Sequence, residues 1–197
     1  SGLAQRTYNL IVASNATVLQ SLADLLRNPA YAALGRPVVD EAPFTGDVDA
    51  ELERHLGQAQ ELWPRALDDG QPRLLLCGGE GIVRLPPDAS GQGGRNQHYA
   101  LMAARRVADT PWCVFAAGTD GIDGNSPAAG AVVDGTTIRA ATGSGLSADG
   151  YLARYDSYGF FRRLEERTHQ SYLVATGATG TNVNDIVIWW LDPGAAA

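Results

Sequence analysis

Trp112-Cys-Val-Phe-Ala-Ala-Gly-Thr-Asp-Gly-Ile-Asp-Gly124 is the stretch whose reading decides the fold. Its first half, Trp112 to Ala117, is short, continuously apolar and bounded by punctuation, which predicts a buried strand. Its second half places three glycines and two carboxylates in the seven residues from Gly118 to Gly124. At the carboxyl end of a strand in an α/β sheet such a loop lies where ligands bind. Its glycines permit positive φ and close backbone approach, so Asp120 and Asp123 can converge on one point. Two convergent carboxylates suit a hard cation such as Mg2+, which leaves its remaining positions to water and phosphate. The same residues also suit an ordinary Asp/Gly turn, and the loop alone does not separate the two readings.

Working outward, the pattern before this stretch alternates strand and helix. Tyr8 to Ala13 reads as a strand, and Ser14 or Asn15 can cap a helix striped by Val18, Leu19, Leu22, Leu25 and Leu26, ended by Gly35. Pro37 to Val39 is a second strand. From Asp47 a helix carries Val48, Leu52, Leu56, Ala59 and Leu62 on one face, with acids crowding its first turns where negative charge suits the macrodipole. Arg73 to Cys77 is a third strand, with Ile82 to Leu85 close enough to form its hairpin partner, and a helix starts near Arg95. After the acidic loop, Pro127 suits the first turn of a helix through Val133, and Ser147 caps a helix from Ala148 to Tyr155. Tyr158-Gly-Phe-Phe161 supplies core aromatics, and Ser171 to Ala175 and Asp185 to Leu191 are the last strands. The order predicts an α/β fold: a mixed, largely parallel β-sheet flanked by helices.

The 197 residues suit one domain and bury enough surface to need no staples. A formal net charge of −7 disfavours a nucleic-acid or anionic-membrane surface, both of which want a basic face. The chain has no lysine, so it supplies no Walker-type, Schiff-base or general-base lysine. Cys77 and Cys113 sit at the ends of apolar runs and read as small buried hydrophobes, without zinc spacing. His55, His98 and His169 have no partner at metal-ligand spacing. No span-length apolar run or signal peptide is visible, so a reducing, cytoplasmic compartment is expected. The chain opens Ser1-Gly2-Leu3 without an initiator Met, as a piece of a longer protein would.

Three loops share a design: glycine-rich, small and polar. In the first, Gly93 and Gly94 precede a helix whose first turn holds Arg95 and Asn96. A helix start attracts anions, but its dipole contributes only about 0.3–1 kcal/mol at an exposed site, so Arg95 is needed as a bidentate phosphate or carboxylate clamp. The bland reading is a surface arginine after a flexible loop. The second loop is the acidic one, Asp120 and Asp123 with Thr119. The third, Thr176 to Asp185, offers Thr179, Gly180, Thr181, Asn182 and Asn184, with backbone N–H groups able to form a nest. Glu80, just past Gly78-Gly79, reads either as a fourth contributor or as an exposed turn residue. Taken together, the loops predict a polyanion and metal site on one edge of the sheet.

Five motifs carry a family resemblance: Gly94-Arg-Asn-Gln97, Gly118-Thr-Asp-Gly-Ile-Asp-Gly124, Ala128-Ala-Gly-Ala-Val-Val-Asp-Gly135, Tyr155-Asp-Ser-Tyr158 and Thr179-Gly-Thr-Asn-Val-Asn-Asp185. In order and spacing they resemble the MOFRL domain, the carboxyl-terminal part of class II glycerate kinases, also named hydroxypyruvate reductases. The resemblance covers Leu74 to Leu191 strongly and Tyr8 to Leu67 more loosely. It implies a preceding portion (1–70), a MOFRL domain (71–192) and a tail (193–197), with the glycerate-kinase type of carboxyl-terminal fold. It also implies ATP- and Mg2+-dependent phosphorylation of D-glycerate to 2-phosphoglycerate, in a cleft shared with an amino-terminal domain absent from this chain. Under that reading Asp120 and Asp123 hold Mg2+. Arg95, with Gly94 and the Thr179-Gly180-Thr181 backbone, holds phosphate or the glycerate carboxylate, and Asn182 and Asn184 orient hydroxyls. The chain departs from the family pattern in three places: His98 stands where Glu is expected, Asn125-Ser126-Pro127 replaces a Pro-Thr-Asp type run, and Ala178 replaces Pro. Two other functions compete. An NAD(P)H-dependent reductase would need a G-x-G-x-x-G fingerprint, of which Gly91-Gln-Gly-Gly94 falls short. A non-catalytic module binding a phosphorylated metabolite would need only the loops.

Overall fold

The protein is described by a computed structural model covering residues 13–87 and 89–196. The strand expected over Tyr8 to Ala13 falls, apart from Ala13, outside the described residues. Ser14 caps α1 (Asn15–Leu26) by accepting from Thr17 N. Pro29 forces Asn28 out of the helical region, and a 3-10 turn over Pro29–Leu34 carries the chain to Gly35. The helix therefore ends about two and a half turns before the glycine expected to stop it. β1 (Arg36–Val39) follows, then α2 (Val48–Asp69), capped by Asp47 and ended by left-handed Gly70. β2 spans Arg73–Gly79, α3 Arg95–Arg106, and β3 Trp112–Gly118.

Six strands form one sheet in the order β1-β2-β6-β3-β4-β5, where β4 is Gly130–Asp134, β5 Leu173–Val174 and β6 Asp185–Leu191. The mixed α/β architecture agrees with the sequence reading, but the pairing differs. Among the described strands only β1 and β2 pair in parallel. The other neighbouring pairs are antiparallel, because β6 inserts between β2 and β3 and runs against both. Sequence order hides this, since β6 comes last in the chain.

That insertion also explains two misread segments. Ile82 to Leu85 cannot be the hairpin partner of β2, because β1 and β6 already occupy both edges. Ile82 makes only an isolated bridge to Asp47. Likewise Ala128 to Val133 is not helical: its β-branched end forms β4, which fills the free edge of β3. The helices after it are α4 (Thr137–Gly143), α5 (Ala148–Leu152) and α6 (Ser157–Thr168). α5 stops short of Tyr155, which takes φ of 55° as the chain turns into α6.

The sheet is covered unequally. On one face α2, α3 and the later helices bury the main core around Trp189, Tyr99, Phe160, Phe161 and Leu101. On the other, α1 covers Leu74 and Leu76 with Leu19, Ala23 and Leu26. Trp189 and Trp190 alternate faces as a strand requires: the first is fully buried, and the second donates its Nε1 to Leu34 O on the α1 side. Residues 44–62 share the main core with those after 73. No described helix is long and apolar enough to cross a membrane.

Candidate functional site

The topology brings the three loops to one end of the sheet. In register, Gly79 at the end of β2 and Gly118 at the end of β3 both face Asp185 at the start of β6. Glu80, the acidic loop and the last residues of the third loop therefore meet around one carboxylate. The start of α3 closes over that point.

Asp185, which sequence reasoning did not single out, is the hub. Arg95 donates from Nε and Nη2 to its two oxygens at 2.5 and 3.1 Å, a bidentate fork. Asn96 Nδ2 reaches Asp185 Oδ1 at 3.0 Å and Asp123 Oδ1 at 3.2 Å, joining the two acids. Asp123 in turn accepts the backbone N–H groups of Asn96 at 3.1 Å and Gln97 at 2.8 Å. A carboxylate from a remote loop thus serves as the N-cap of α3, which has no side-chain cap of its own. Gly94 makes this possible, since a Cβ there would overlap Asp123 Oδ1. The sequence marks Asp185 as the last residue of the fifth motif and as a charged residue opening an otherwise apolar strand.

These facts redistribute the roles expected of the loops. The start of α3 is not open to an external anion, because Asp123 already occupies it. Asp123 is buried, and three of its roughly four lone-pair positions are engaged within the protein. Burial pushes its pKa up to about 6, against the pull of the Gln97 and Asn96 donors. Burial also raises that of Asp185, opposed by Arg95 and Asn96. Asp120 differs: among the described residues its Oδ1 accepts only the near N–H of Ile122, and the residue is half-buried on the cleft wall. Arg95 keeps one arm for the cleft, where Nη1 lies 3.1 Å from Glu80, a side chain 57% exposed. Asn96 Oδ1 is buried without a hydrogen-bond partner among the described residues.

A cleft of about 1220 Å³ opens over this network. Glu80, Gly94, Arg95, Asp120, Asp123 and Asn184 line it, so the structure brings together residues from all three loops. Thr119, Thr179, Gly180, Thr181 and Asn182 do not line it. They knit the loops to each other: Thr119 Oγ1 donates to Asn184 O at 2.7 Å, and Thr179 donates from Oγ1 to Thr119 O and from N to Asp120 O. Asn182 Oδ1 accepts from Asn184 N. Gly121, at φ of 87°, lets Gly177 O pack directly against the acidic loop. His98, the departure from the expected Glu, stacks on Tyr155 at 5.3 Å and also lines the cleft.

Residues 73–185 match the model of the MOFRL family. The chain belongs to the MOFRL family. It is 32% identical over 187 residues to the glycerate 2-kinase of Pyrococcus horikoshii, covering 92% of this chain and 39% of that protein. It is 40% identical over 119 residues to the D-glycerate 2-kinase of Thermotoga maritima, covering 60% of this chain and 27% of the relative. The crystal structure of the Thermotoga maritima glycerate kinase superposes with a TM-score of 0.79 at 27% identity, over 92% of this chain and 41% of that one. This MOFRL chain therefore spans about two fifths or less of the length of the relatives it matches.

Proposed function

We propose that this chain is the carboxyl-terminal portion, or a stand-alone relative, of an ATP-dependent glycerate 2-kinase that converts D-glycerate to 2-phosphoglycerate. The observation that carries the reading is the single cleft where Arg95, Asp120, Glu80 and Asn184 converge over a buried Asp185–Asn96–Asp123 network. Phosphoryl transfer is mostly positioning and charge neutralisation, and this arrangement supplies both. Asp185 grips two arms of the Arg95 guanidinium and aims the third, Nη1, into the cleft. There a phosphate or the glycerate carboxylate replaces the exposed Glu80 as its partner. Asn184, on the cleft wall, would meet a substrate hydroxyl, while the buried Asn96 ties Asp185 to Asp123 beneath it.

The donor set fits Mg2+, which takes one or two carboxylates and leaves its other positions to water and phosphate. Asp120 would hold the ion, directly or through water, and the ion would neutralise phosphate charge. Asp123 fits better as the residue that fixes the start of α3, and so Arg95 and Asn96, than as a second ligand. The Thr179 to Asn182 segment acts by bracing the acidic loop. Because the chain lacks lysine, further positive charge for the nucleotide comes from the amino-terminal portion that longer relatives carry.

The test is glycerate-dependent ADP formation, measured with this chain alone and with an added amino-terminal half. Activity is expected only when both are present. No activity in the combination, with both parts folded, would refute the kinase reading, and saturable NADH binding would favour the reductase instead.

A further inference from the structure

A second concentration of donor atoms lies in α2 and the first two strands, and the three loops make no use of it. Asp40 directly follows β1, His55 sits on α2 and Cys77 lies in β2. One donor atom from each lies within 4.8 Å of the others, and all three residues are buried. In sequence they look unrelated. The parallel register pairs Val39 with Leu76, so the next residue of each strand, Asp40 and Cys77, falls side by side, and α2 packs over β2 to deliver His55.

The hydrogen bonds fix how His55 is presented. Arg54 Nη2 donates to His55 Nε2 at 3.0 Å, so Nε2 carries a lone pair and the ring proton resides on Nδ1. Nδ1–H then donates to Tyr99 Oη at 2.8 Å, an oxygen that also accepts Trp189 Nε1 at 3.0 Å. Nε2 lies 3.8 Å from Asp40 Oδ2, and the Arg54 guanidinium donates to both. A carboxylate, an imidazole lone pair and a sulfur directed at one spot call for a cation. At present the Arg54 guanidinium serves, paired with Asp40 and Glu51 and 31% exposed.

We propose that Asp40, His55 and Cys77 form a binding site for a borderline divalent transition metal, foremost Zn2+, which displaces the Arg54 guanidinium. The mixed oxygen, nitrogen and sulfur donors exclude Mg2+ and Ca2+, which take oxygen alone, and suit Zn2+. Zinc bonds of about 2.0–2.3 Å put tetrahedral donors roughly 3.3–3.7 Å apart, so the three groups close by no more than about 1.5 Å. The Nδ1–H bond to Tyr99 is the outer contact that orients a metal-binding histidine. Asp40 lines the cleft and gives the ion a way in, with the fourth position left for water. On binding, the Cys77 thiol loses its proton to the buffer and its sulfur bonds the metal, so the Asp40 carboxylate and the thiolate together balance the dication. Arg54 swings to Glu51, already its partner at 2.7 Å.

Co2+ titration of the whole chain tests this, read by absorption. The site predicts one equivalent of tetrahedral Co2+ with a thiolate-to-metal charge-transfer band, bleached by stoichiometric Zn2+. Cys77→Ser should abolish that band. Arg54→Gln, at a partly exposed side chain, should tighten Co2+ binding about tenfold or more by removing the competing cation. No charge-transfer band in the unmodified chain at excess Co2+, or a band that survives Cys77→Ser, overturns the proposal. So does weaker binding in a folded Arg54→Gln variant.

Discussion

Asp120 and Asp123 occupy one loop, yet their surroundings assign them opposite sensitivities to mutation. Asp123→Ala strips the buried N–H groups of Asn96 and Gln97 of their acceptor and should destabilise the fold by about 2–4 kcal/mol in denaturant unfolding. Asp120→Asn should stay within about 0.5 kcal/mol of the unmodified chain, because its one contact is a local turn. In the proposed kinase the same Asp120→Asn change should cost about 10²-fold or more in turnover, the scale of losing one preorganised electrostatic contact. Stability loss at Asp120 and none at Asp123 would reverse the assignment. His55 offers a pH test at the same scale. Burial first, then the Arg54 charge, depresses its pKa to about 4 from an ordinary 6.5. The folded state therefore binds fewer protons than the unfolded chain between those values. The stability this contributes is complete above about 6.5 and drains away as pH falls towards 4, by at most about 3 kcal/mol. Unfolding of chelator-treated protein across that window should show the slope, and His55→Gln should flatten it.

At the scale of elements, α1 is tied to the site by its first residue. Asn15 Nδ2 donates to Val183 O at 2.8 Å and to Asp185 O at 2.9 Å, pinning the junction of the third loop and β6. Asn15→Ala should lower hydrogen-exchange protection of the amides around 183–185 by about tenfold, the loss of roughly one such bond. Unchanged protection there would mean that the contacts with Thr119 and the pairing of Asp185 hold the junction without Asn15. The elements also show what a sequence can and cannot disclose. α1, α2, β2, β3 and β6 were legible because each carries its own cap or an uninterrupted apolar run, and α3 was legible from the glycine pair before Arg95 and the apolar residues Tyr99, Leu101, Met102 and Val107. β4 was not, because Ala128 to Val133 satisfies a helical opening as well as a strand, and only the vacant edge of β3 decides between them. The polar loops were legible by composition. What could not be read was that Asp123 reaches back to cap α3 and that Asp185 holds Arg95, since both depend on β6 entering the sheet out of chain order.

At the scale of the molecule, one sheet end gathers residues more than 100 positions apart, from Glu80 to Asp185, around a cleft. The relatives it matches are about two and a half times as long as the portion this chain spans. The central claim is that this cleft, rather than the thinly covered sheet face around Trp190, receives the phosphorylated ligand. The most direct measurement is amide chemical-shift mapping of the isolated chain titrated with 2-phosphoglycerate in the presence of Mg2+. The account predicts shifts concentrated at Glu80, Arg95, Asn96, Asp120 and Asn184, weakened by Asp120→Asn. Shifts centred on Ile188 and Trp190, or none at saturating ligand, would contradict it.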